Sequence, residues 1–122
     1  MSASHRPALP AIADQLASAL MHYEESIGGM IAAWPDPGRY QDISQQIDLI
    51  RAYCSALDET RVQWVELLIS HAEIIHLLWL SQYGAEPHST ASMGAARERH
   101  AACVLALRNR CDRVLARKGD TA

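Results

Sequence analysis

Apolar residues recur at alternating intervals of three and four along three successive stretches of this chain. The first runs Leu9, Ala13, Leu16, Leu20, Tyr23, Ile27, Met30, Trp34; the second Tyr40, Ile43, Ile47, Ile50, Cys54, Leu57; the third Trp64, Leu68, His71, Ile75, Leu78. Side chains spaced in this way share one side of an α-helix and bury themselves against other helices. The fold expected is therefore all-α, a mainly antiparallel helical bundle.

Proline and glycine mark where the helices stop. The first helix is expected from Leu9 or Pro10 to Trp34, where Pro35-Asp36-Pro37-Gly38 forbids continuation. Gly28 and Gly29 interrupt it, as a close approach to a neighbour or as a weak point. Asp36 before Pro37 is a good N-cap and first-turn pair for the second helix. From there no Gly or Pro occurs until Gly84, which leaves two architectures. In one, residues 38–83 form a single long helix and the bundle has three helices. In the other, the chain turns near Asp58-Glu59, with Thr60-Arg61-Val62-Gln63 as a capping box, and the bundle has four. Arg61 falls where the stripe ought to be apolar, which favours the turn. The last helix follows Gly84-Ala85-Glu86-Pro87 and ends near Lys118-Gly119, burying Ala96, His100, Val104, Leu107, Cys111 and Val114. One domain is expected over residues 9–118, with flexible ends at 1–8 and 119–122.

Residues 62–80 carry a second apolar seam, Val62, Val65, Ile69, Ala72 and Trp79, beside the first. Their polar side is narrow, consisting of Gln63, Glu66, Ser70, Glu73 and Ser81. Such a helix is either central in the bundle or covered by a partner chain.

Length and composition agree with a folded domain. At 122 residues, about half of them apolar, the chain is long enough to bury a core and too apolar to be disordered. No apolar run has the length of a signal-peptide core near the N-terminus, and none reaches 18 consecutive apolar residues, so a cytoplasmic protein with no membrane partner is expected. Cys54, Cys103 and Cys111, an odd number without Cys-x-x-Cys spacing, read as reduced thiols on apolar faces. The net charge of −3 is unevenly distributed: residues 1–90 sum to −7 and residues 91–122 to +4. A basic last helix is thus attached to an acidic body.

Three groups of residues are candidates for chemistry. Glu73-Ile-Ile-His76 places a carboxylate and an imidazole on one side of a helix, as carboxylate-bridged di-metal bundles do, but those need a second copy and two further glutamates. In a four-helix arrangement His22, His71 and His100 fall at one level, with Tyr23 near them. His22 lies off its stripe, so the simpler reading is a hydrogen-bonded polar layer that sets register, and Glu73, His76, His71 and His100 are the alternative metal ligands. The arginines of the last helix, including Arg108, Arg110 and Arg113, suggest phosphate contact. They are spread round the helix with no aromatic residue among them, which points to pairing with acidic groups rather than to nucleic acid.

Neither a phosphate loop, a nucleophile elbow nor a His-Glu-x-x-His motif is present, and no catalytic residue or cofactor is expected. The expected function is a non-enzymatic protein-protein interaction module, such as an adaptor, chaperone-like protein or regulator, that probes a partner or itself through helix faces. A homo-oligomer is expected. Trp34, Trp79 and Tyr83 would lie near one end of the bundle and, with the three arginines, are the candidate partner-binding residues. A metal-binding bundle and a nucleic-acid binder using the last helix are the alternatives. Small bacterial adaptors often share this size and helical build, but no residue motif ties the chain to any family.

Overall fold

The computed structural model describes residues 9–83 and 90–120, with side chains over 9–83 and 92–117. It contains four α-helices: α1 (Leu9–Ala32), α2 (Pro37–Ser55), α3 (Arg61–Gln82) and α4 (Thr90–Asp120). A 3-10 turn at Asp58–Thr60 separates α2 from α3, so the single helix over 38–83 does not form.

Local chemistry accounts for the breaks. Asp36 caps α2 by accepting a hydrogen bond from the Arg39 backbone N at 3.2 Å, and Pro37 occupies the first turn, where a missing N–H costs nothing. The expected capping box at Thr60 is absent: its Oγ1 donates backwards, to the carbonyls of Leu57 at 2.7 Å and Cys54 at 3.2 Å. Thr60 therefore closes the end of α2 rather than opening α3. The Gln63 amide, oriented to suit its neighbours, donates to the Glu59 carbonyl and accepts from Arg110 Nε at 3.3 Å. In α1 a side chain at Gly29 would collide with the Arg39 guanidinium, 2.7 Å from the position of a Cβ, while Gly28 faces open space. The helix runs through both glycines to Ala32, two residues short of Trp34.

Successive helices run antiparallel. At one end the chain after α1 (Trp34), the first turn of α2 (Tyr40) and the last turn of α3 (Trp79) meet. At the other, the start of α1 (Leu9, Pro10), the 56–59 turn and the last turns of α4 (Val114, Arg117) line one cleft. α1 packs along α2 and α4, and α3 along α4. α2 and α3 lie farther apart.

The core follows the sequence stripes on three helices. Ala13, Leu16, Leu20, Tyr23, Ile27 and Met30 of α1 are buried, as are Ile43, Ile47, Ile50 and Cys54 of α2 with Leu57 beyond it. All six residues expected on α4 are buried: Ala96, His100, Val104, Leu107, Cys111 and Val114. α3 departs from expectation. Its buried line is Leu67, Ser70, Ile74 and Leu78, and the expected stripe residue Leu68 is exposed. Ser70, placed on the polar side from the sequence, is buried, its Oγ donating to the Leu67 carbonyl at 2.9 Å. The cause is that α3 is apolar nearly all round, so its pattern has too little contrast to fix which side faces inward.

Candidate functional site

Three features carry chemistry: a buried polar triad, an apolar outer face on α3, and a group of aromatic rings at one end of the bundle.

The triad joins three helices. The Tyr23 hydroxyl of α1 lies 2.7 Å from His71 Nδ1 of α3 and 2.8 Å from His100 Nε2 of α4. A phenol has one proton to donate, so one imidazole accepts that proton and the other donates its N–H to the oxygen. Both rings are neutral in this arrangement. Burial enforces it: desolvation depresses the pKa of His71, and that of His100 falls from 6.5 to about 4 through desolvation and the nearby His71 and Arg97. Burial also raises the pKa of Tyr23, so its hydroxyl keeps its proton. His22 is exposed and takes no part. The polar layer anticipated from helix levels is thus present, made of Tyr23 and two of the three histidines.

The other two candidate metal ligands are elsewhere. Glu73 accepts from Arg99 Nη2 at 2.9 Å and Nε at 3.1 Å on the surface, and His76 is exposed on the outer side of α3. Around the helix Glu73 lies nearly opposite His71, at about 100° per residue. Among the described residues no three His, Cys, Asp or Glu side chains gather as a metal would require.

The arginines of α4 turn toward acidic partners on other elements. Arg99 pairs with Glu73, Arg108 lies 3.9 Å from Glu24 of α1, and Arg117 pairs with Glu59. Arg110 reaches Gln63 on the α3 side, and Arg113 is exposed. Arg108 and Arg110 therefore diverge to opposite flanks of α4, and the three arginines do not make one cationic face.

The outer face of α3 is open. Val62 is 63% exposed, Val65 50% and Ile69 66%, with Ala72 and His76 continuing the same line. By length and composition Asp58–Gln82 is the one described stretch apolar enough to cross a membrane, and only 22% of its most apolar window is buried in the bundle. Glu66 and Glu73 fall in its middle, where a bilayer would penalise each carboxylate by roughly a few kcal/mol.

At the bundle end, Trp34 and Trp79 meet at 4.9 Å and 86°, and Tyr40 stands 6.3 Å from each, at 67° to Trp34 and 71° to Trp79. Tyr83 stacks on Trp79 at 6.0 Å and 17° and is otherwise exposed. Trp34, Trp79 and Tyr83 are thus brought together. Tyr40, assigned only to the core stripe from the sequence, completes the group; the short 33–36 connection, which sets the first turn of α2 beside the end of α1, was the available signal. Trp34, Tyr40 and Trp79 border a cleft of about 360 Å³ with Pro35, Asp36, Pro37, Gln41 and Ser44.

Comparison with known protein families, curated proteins and solved structures returns no significant match.

Proposed function

We propose that the protein is a non-enzymatic interaction module that self-associates through the outer face of α3. The observation that carries the reading is that α3 is apolar on both sides. One side faces the core, and Val62, Val65 and Ile69 on the other are each at least half exposed. A contiguous apolar strip with a polar border is the signature of a protein contact. Arg61, Glu66, Glu73 and Arg99 supply that border, with charges of both signs. A second copy fits this face because an isologous contact needs only one such strip, run antiparallel to itself about a two-fold axis near Ile69. The buried triad supports a structural role over a catalytic one, since its polar atoms are spent on one another in the core. Three free thiols suit a reducing compartment such as the cytoplasm.

Native mass spectrometry with sedimentation velocity tests this reading. The wild-type chain is expected as a dimer at micromolar concentration and Ile69→Asp as a monomer with an unchanged helical spectrum. A wild-type monomer, or an Ile69→Asp dimer, refutes self-association through α3.

A further inference from the structure

We propose that Arg99 sets the register of the α3 self-contact by bridging Glu73 of its own chain and Glu66 of the second copy. The inference rests on the self-association proposed above and names the residues that make that contact specific.

Glu66 is exposed beside the apolar strip, and among the described residues it has neither a hydrogen bond nor an ion pair. Glu66, Ile69, Glu73 and Arg99 line one groove between α3 and α4. At about 100° per residue, Glu66 and Glu73 lie about 60° and 40° round the helix from Ile69, both toward α4. Arg99 reaches in from α4 and directs Nε, at 3.1 Å, and Nη2, at 2.9 Å, to one atom, Glu73 Oε1. Its Nη1 makes no hydrogen bond among the described residues. One edge of the strip therefore carries an unpaired carboxylate and a guanidinium with donors to spare.

A two-fold relation brings these groups together. The axis that sets α3 antiparallel to its copy lies in the contact plane and crosses the helix, so both copies of α4 run along the same edge. With the axis at Ile69, Glu66, three residues before it, comes level with the partner's Ala72, three residues after it. The partner's Glu73 stands one residue farther on, about 1.5 Å along the helix, and the partner's Arg99 stands with it because the two are paired. Without Arg99, two carboxylates of different copies would face each other, and like charges so placed oppose association. The guanidinium fork removes that conflict. Nε and Nη2 hold Glu73, and the free Nη1 edge meets the second copy's Glu66. Symmetry repeats the cluster on the other side of Ile69, so the contact carries two bridges. A slip of one helical turn, about 5.4 Å, breaks both. A second copy reproduces this spacing by symmetry, which is what selects it as the occupant of the strip.

The test is a charge exchange in the full chain, read by sedimentation velocity. Arg99→Glu places three carboxylates in each cluster and should weaken the dimer about 10-fold or more. Adding Glu66→Arg to that variant returns a cation opposite both acids, and the Kd should recover to within about 5-fold of the wild type. Both positions are exposed, so each variant should keep the helical spectrum and, at dilutions where the chain is monomeric, the melting temperature of the wild type. A dimer indifferent to Arg99→Glu, or one weakened by it and not recovered by Glu66→Arg, overturns the bridge. Where Ile69→Asp still dissociates that dimer, self-association through α3 stands and only the bridge falls; a monomeric wild type overturns both.

Discussion

Tyr23 is the residue on which most of the bundle's polar chemistry turns. Its hydroxyl satisfies one nitrogen on each of two buried imidazoles, so Tyr23→Phe leaves both of those nitrogens without their partner in the core. The expected cost is about 1–3 kcal/mol, read as a lowered urea midpoint without loss of helical signal. The same site makes stability depend on pH. In the unfolded chain His100 titrates near 6.5, and in the folded one at about 4. Between those values the unfolded state binds a proton that the native state refuses, so stability is lost as pH falls from 6.5 toward 4. The pKa displacement of His100 is worth about 3 kcal/mol over that window. His71, depressed in the same direction, adds to the loss. Urea titrations between pH 7.5 and 5, where carboxylates stay ionised, should show this slope in the wild type and a flatter one in His100→Gln. Equal slopes would show that the acid sensitivity arises elsewhere.

Among the elements, α3 separates what periodicity specifies from what it does not. α1, α2 and α4 alternate apolar and polar residues sharply, so the buried side could be read directly, down to all six residues of α4. α3 has apolar residues on both sides, and a heptad drawn through Trp64, Leu68, His71, Ile75 and Leu78 fits it about as well as the line through Leu67, Ile74 and Leu78 that the bundle buries. Packing against α4 settled the matter. Leu67→Ala is therefore expected to cost about 2–5 kcal/mol and Leu68→Ala well under half as much, since only the first opens a core cavity. Denaturation of the two variants side by side checks the phase, and the reverse order would contradict it. His71 was legible as an inward residue under either phase, which is why the polar layer could be anticipated from helix levels alone.

For the whole molecule, the balance of charge follows from how the helices are brought together. The acidic body and basic last helix neutralise each other internally through Arg99–Glu73, Arg108–Glu24 and Arg117–Glu59. These pairs are largely exposed, so Arg99→Ala should change stability by less than about 1 kcal/mol and added salt should have little effect. Association gives a different dependence. If folding is coupled to self-association through α3, the melting temperature rises with protein concentration, and in Ile69→Asp it does not. Calorimetry over a hundredfold range of concentration distinguishes the two.

The sequence by itself determined the all-α class, the breaks at 33–36 and before α4, the buried sides of α1, α2 and α4, and the level at which Tyr23, His71 and His100 meet. Each of these rests on local contrast: an apolar-polar period, a proline, a capping aspartate, or a count of residues along a helix. Tertiary structure decided the turn at Asp58–Thr60, the rotation of α3, the pairing of Glu73 with Arg99 of α4, and the group of rings that includes Tyr40. Those depend on how one helix is rotated against another, and a segment apolar on every side carries no local signal of that rotation.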